Sequence, residues 1–141
     1  MKKIGLMLAG LLVVITLTAC SRNGNNAVRD YLDDNQEILV QMFDTFGLGT
    51  VELSATRDHE LVATFTTTDA IYEQMEAVIS FVGAADASGV IERYIVEQHT
   101  VHMRNLATVI ASEMELDEVT IRIVVNLNSD ELVNLTFSSS E

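Results

Sequence analysis

Cysteine occurs once, at Cys20, which excludes a disulfide framework and any zinc site built on cysteines. Cations are scarce: Lys and Arg total 8 against 21 Asp and Glu, a net charge of −13 over 141 residues. A nucleic-acid binder needs a basic face to neutralise phosphates, and this chain has none to offer. No short unit recurs three or more times, so a solenoid is excluded. The serines fall outside G-x-S-x-G and S-x-x-K patterns, and Gly47-Leu48-Gly49 lacks the third glycine and the preceding strand of a phosphate loop. With no thiol beyond Cys20, no nucleophile motif remains. Carboxylate pairs are too common in so acidic a chain to mark general acid–base chemistry. The chain reads as a non-enzyme.

Long apolar runs are equally few, and the conspicuous one stands at the N-terminus. Lys2 and Lys3 precede 16 mostly apolar residues from Ile4 to Ala19, the proportions of a secretory signal peptide. The run falls short of the ~20 residues that cross a bilayer as a stable helix. It ends in Leu17-Thr18-Ala19-Cys20, a branched aliphatic residue and two small ones before the cysteine. This pattern resembles the bacterial lipobox. The resemblance implies a diacylglycerol thioether on Cys20, cleavage between Ala19 and Cys20, and no other cofactor. It also implies a lipid anchor on the extracytoplasmic face of the cell membrane. Ser21 after the cysteine is compatible with an outer membrane where one exists. The mature chain would hold six arginines, no lysine and 21 acids, a net charge of −15. Anionic headgroups repel such a molecule. Acyl chains, at about 0.8 kcal/mol per buried CH₂, would hold it at the membrane against its own charge.

Three regions follow: a signal peptide at 1–19, the lipidated cysteine and a polar tether at 20–26, and one domain at 27–141. In the domain, Val28, Tyr31, Leu32, Ile38, Leu39, Met42, Phe43 and Phe46 recur at three- and four-residue spacing and predict an amphipathic helix. Asn25 or Asn26 caps its start, and Gly47 or Gly49 ends it. Alternation over 51–56 and 61–66 predicts a hairpin. Asp69 is the expected N-cap of a second helix carrying Ile71, Met75, Val78, Ile79 and Val82. The small-residue stretch from Gly83 to Gly89 separates it from a third helix at about 90–113. Alternation from Val119 to Leu127, the turn residues Asn128-Ser129-Asp130-Glu131 and a return from Leu132 to Ser138 predict a second hairpin. The expected class is α+β: a four-stranded antiparallel sheet of two hairpins, packed on one face by three helices and preceded by the signal peptide. This order resembles small secreted bacterial lipoprotein domains of unknown function. It is also loosely similar to PepSY-type and β-lactamase-inhibitor-type domains, which implies protein binding or enzyme inhibition.

Three groups of residues are candidates for function. His99 and His102 stand at i, i+3 on the third helix, near enough to share a metal ion with Glu92, Glu97 or Glu113 as third ligand. Taking Ile91 and Val109 as the centre of that helix's apolar stripe puts Gln98, His102 and Asn105 on the same line. These three would hold a small polar ligand beneath the sheet, and a buried His102 would titrate below the ~6.5 reference. On the outer side of the sheet, Ser54, Thr56, Val62, Thr64, Thr66, Thr120, Val124, Asn126, Leu132, Asn134 and Thr136 form a face with only Glu52 and Arg122 charged. On so acidic a molecule this face admits another envelope protein or a neutral glycan without electrostatic penalty. The acidic run Glu113, Glu115, Asp117, Glu118 lacks the spacing of a calcium loop and reads as a solvated helix end. The functional expectation is a lipid-anchored, non-enzymatic interaction module. The alternatives are an accessory metal- or small-ligand-binding protein using His99 and His102, and an inhibitor-like envelope protein.

Overall fold

The computed structural model describes residues 26–82 and 87–140. Ala19, Cys20 and the tether before Asn26 lie outside the described residues. The first helix, α1, spans Ala27–Asp44 and buries Val28, Tyr31, Leu32, Leu39 and Phe43. Ile38, expected on this stripe, is 68% exposed. At 100° per residue it lies about 80° off the line through Val28, Leu39 and Phe46. Asn26 occupies the N-cap position, yet its side chain makes no capping hydrogen bond.

Strands β1 (Thr50–Thr56) and β2 (Glu60–Thr67) form the first hairpin, and β3 (Thr120–Leu127) and β4 (Asp130–Ser138) the second. Between them stand α2 (Asp69–Val82) and α3 (Ala87–Glu113), two helices rather than one rod. The cap of α2 is Thr68 rather than Asp69, since the Ile71 amide donates to Thr68 Oγ1 at 3.3 Å.

The four strands lie in the order β1-β2-β3-β4. Both hairpins are antiparallel, but the central pair β2–β3 is parallel, so the sheet is mixed. The purely antiparallel expectation is corrected here. Parallel neighbours need a long crossover, which α2 and α3 supply by carrying the chain back to the end where β2 begins. There the Thr120 amide donates to the His59 carbonyl at 3.1 Å. Register puts Leu61, Ala63 and Phe65 beside Ile121, Ile123 and Val125, and these beside Phe137, Leu135 and Val133. This face receives α1 over β1 and β2, and α3 over β3 and β4. The result is a two-layer α+β sandwich whose core includes the rings of Phe43, Phe46 and Phe65, with centroids 5.5–6.2 Å apart.

Two details fix the ends. The chain leaves α3 through a Schellman turn, in which the Leu116 amide donates to the Ala111 carbonyl at 2.8 Å and the Glu115 amide to the Ser112 carbonyl at 3.4 Å. Glu115 therefore sits at φ 54°, where glycine is usual. In β4 a bulge leaves Leu132 unpaired between Glu131 and Val133, and its half-buried side chain packs against the core. Leu132 thus leaves the outer face to which alternation had assigned it.

Candidate functional site

The polar line on α3 does not enter a cleft. Gln98, His102 and Asn105 are all exposed, as are Val101 (67%) and Val109 (44%). The side chains that α3 buries are Ile91, Ile95, Met103, Ala107, Ile110 and Ala111. On a helical wheel most of these centre about 100° away from Ile91. Ile91 and Val109 were the wrong reference. Ile91 lines a groove against Leu48, Ile71 and Met75 near the start of α3, while the sheet-facing side is marked by small alanines that let the helix approach closely.

The histidine that turns inward is His99. Its ring stacks on Phe46, with centroids 3.6 Å apart and planes 11° from parallel, and Tyr94 meets it edge-on at 5.4 Å. His99 Nε2 is buried with no hydrogen-bond partner. Burial and the neighbouring His102 charge together hold the His99 pKa below its ordinary value. An imidazolium against Phe46 would gain cation–π attraction of about 0.5–2 kcal/mol. An unpaired buried charge costs more than that, so the neutral ring is favoured.

This geometry bears on the metal reading. The His99 and His102 rings are 6.3 Å apart with planes at 52°, and Nε2 of His99 points into the protein. Glu92, Glu97 and Glu113 are exposed, and among the described residues no three His, Cys, Asp or Glu side chains converge as a metal set.

Apart from Leu132, the outer sheet face is assembled as alternation implied. Cross-strand register places Ser54 beside Val62, Thr64 beside Val124, and Val124 beside Asn134. The Arg122 guanidinium donates to both Glu60 carboxylate oxygens, at 2.7 and 3.2 Å. The pair cancels its own charge, and Glu60 is only 9% exposed although it stands on this face. Alternation had made Arg122 a charged exception; its partner two positions along the neighbouring strand was not foreseen. The face then carries Thr, Ser, Asn and Val side chains, with Glu52 as a charge on the β1 edge and Glu131 as one on the β4 edge, where the bulge sets it beside Asn126 and its carboxylate accepts from the Asn134 amide at 3.4 Å.

Two grooves flank the sandwich. A groove of about 590 Å³ at the end where β3 starts is lined by Asp58, His59, Glu115, Leu116, Asp117, Glu118 and Thr120. Beside it Ser138 and Ser140 hydroxyls donate to Glu118 Oε1 at 2.5 and 2.9 Å, and these bonds hold the Glu118 carboxyl below its usual range. A carboxylate so stabilised is a weak base, and the cluster clasps the chain's last strand instead. An apolar groove of about 320 Å³ at the opposite end is lined by Phe46, Leu48, Ile71, Met75, Val90, Ile91 and Tyr94, with Gly47 and Gln74. Neither this groove nor the Phe46–His99 stack carries a sequence motif. The usable signal was His99 itself, at 80° from Ile91 and inside the true apolar arc.

Comparison with family models, with curated proteins and with solved structures finds no match to this chain. Among the described residues no helix is long and apolar enough to cross a membrane.

Proposed function

We propose that the chain is a lipid-anchored extracytoplasmic lipoprotein whose domain is a non-enzymatic interaction module, binding another envelope protein through the outer face of its sheet. The observation that carries the binding reading is that face. It lies opposite both packed helices, and its central charges, Arg122 and Glu60, neutralise each other. A partner approaching there meets hydroxyl, amide and methyl groups on a molecule that elsewhere repels anions. A protein partner is favoured over a glycan because the outer positions from Thr50 to Ser138 hold no aromatic ring to stack on a sugar. The anchor rests on Leu17-Thr18-Ala19-Cys20 and the apolar run before it.

Two measurements test this. Cys20→Ala leaves unprocessed precursor of full mass; identical N-termini and identical detergent partitioning for wild type and variant would overturn the anchor. Thr64→Lys with Asn126→Lys places two cations on the face and abolishes cross-linking to the partner in intact cells, with the melting temperature within a few degrees of wild type. Cross-linking that survives the double variant puts any binding surface elsewhere.

A further inference from the structure

Phe46 belongs to the five-residue connection 45–49 between α1 and β1, and it forms one wall of the apolar groove together with Tyr94. Its ring packs on Phe43 of α1 at 5.5 Å, and three further contacts hold it in place. Phe65 stacks on it from β2 at 5.5 Å, its carbonyl accepts a hydrogen bond from the Tyr94 hydroxyl at 3.2 Å, and the His99 ring lies flat against it at 3.6 Å. The last of these depends on the ring's protonation. A neutral imidazole stacks as an aromatic plane, whereas a charged one must donate from both nitrogens. Nε2 of His99 is buried without an acceptor, so a proton there has no partner while the stack is closed.

We propose that His99 is an acid-sensitive latch: its protonation breaks the stack on Phe46, frees the α1–β1 connection and opens the wall of the apolar groove. The groups around the latch are consistent with this. From its own helix, Tyr94 meets the ring edge-on and His102 stands 6.3 Å away as a second titratable ring of the same sign. The opposing connection, Thr45-Phe46-Gly47-Leu48-Gly49, contains no titratable side chain, and β2 contributes Phe65. Among the described residues no carboxylate bears on His99; the charge that does is His102, which opposes protonation. The sign follows. The latched state holds its proton less tightly than a free histidine, so it is fully stable above about pH 6.5 and loses stability as pH falls below that value. This latch does not depend on the sheet face binding anything.

The test is an NMR titration of the full chain in nonionic detergent micelles from pH 8 to 4.5, following the histidine ring carbons and the Phe46 ring protons. At pH 8 the stacked imidazole shifts the Phe46 protons upfield. As His99 titrates, they lose at least half of that shift in the same transition. His102→Gln removes the opposing charge and moves both transitions to higher pH together. His99→Phe keeps a ring against Phe46 and abolishes the pH dependence of its shift. Phe46 protons that stay constant while His99 titrates, or that move independently of it, overturn the latch. The wild-type titration alone separates these outcomes, even if His99→Phe does not fold.

Discussion

Gly47 and Gly49 stand two residues apart between α1 and β1, both at positive φ, and an alanine at each should have very different consequences. At Gly47, φ is +68° and an added Cβ meets nothing within 4 Å. An L-residue in this left-handed region costs about 1–2 kcal/mol. The stiffer unfolded chain returns about 0.5–1 kcal/mol of that, so Gly47→Ala loses no more than about 1.5 kcal/mol. At Gly49, φ is +109°, and the new Cβ would collide with the Thr66 carbonyl oxygen and stand 2.8 Å from Thr66 C and 2.9 Å from Thr67 Cα. These are backbone atoms of β2, which cannot turn aside as a side chain would. The strained backbone costs about 1–3 kcal/mol. Relieving the collision peels the first pair of the ladder, Thr50 opposite Thr66, and each lost hydrogen bond costs about 0.5–1.5 kcal/mol. Gly49→Ala should therefore lose about 3–4 kcal/mol, a large share of the 5–15 kcal/mol typical of a domain. At about 4 °C per kcal/mol for this size, the melting temperature falls by roughly 12–16 °C, against no more than about 6 °C for Gly47→Ala. Urea and thermal unfolding followed by circular dichroism measure both. Equal losses for the two variants would refute the close approach of the start of β1 to Thr66.

Three further outcomes are expected. Arg122→Ala leaves the buried Glu60 carboxylate without its partner and costs about 1–3 kcal/mol in urea unfolding, whereas Arg122→Met with Glu60→Gln recovers most of it. Ser138→Ala with Ser140→Ala raises the Glu118 pKa toward the ordinary carboxylate value in a carbon-detected titration. In the wild type those bonds add stability that is present above about pH 4.5 and is lost as pH falls through the lower folded value, so the acid limb of the stability curve flattens in the variant. Glu115→Gly relieves a left-handed residue at the end of α3 and raises the melting temperature by about 2–4 °C, the net of backbone relief over added chain entropy.

The helix, hairpin, helices, hairpin order was legible because each element carries its own period: 3.6 along Val28 to Phe46, and 2 along Leu61 to Phe65 and Ile121 to Val125. The phase of α3 was not. Valine is a strong apolar marker, so Val101 and Val109 drew the stripe toward the solvent side, where they are 67% and 44% exposed. Ala107 and Ala111, the residues that let α3 lie close to the sheet, carry little hydrophobic weight of their own. Ile91 added a second error, since it is buried by the α2 side of the molecule rather than by the sheet. A helix with two packing partners has two apolar directions, and averaging them onto one line turns His102 inward in place of His99. The polar-ligand reading of α3 began from that rotation, whereas the metal reading rested on the i, i+3 spacing of His99 and His102 alone.

The direction of the central strand pair is a different kind of omission, because alternation cannot report it. Leu61, Ala63 and Phe65 face the helices whether β3 runs with β2 or against it, since either direction preserves the same inward set. What distinguishes them is how far along the sheet the intervening helices carry the chain. Ile71 and Met75 of α2 line one groove with Val90, Ile91 and Tyr94 of α3, so the two helices lie side by side. Spans of 14 and 27 residues then differ by 13, a net return of about 20 Å at 1.5 Å per residue. The eight residues of β2 extend about 26 Å at 3.3 Å each. The chain thus arrives near the end of the sheet where β2 began, where Thr120 pairs with Glu60, and parallel pairing follows. Helices of equal length would have returned it to the other end and made the pair antiparallel. The inequality of two helix lengths, rather than any pattern within the strands, sets the direction of β3.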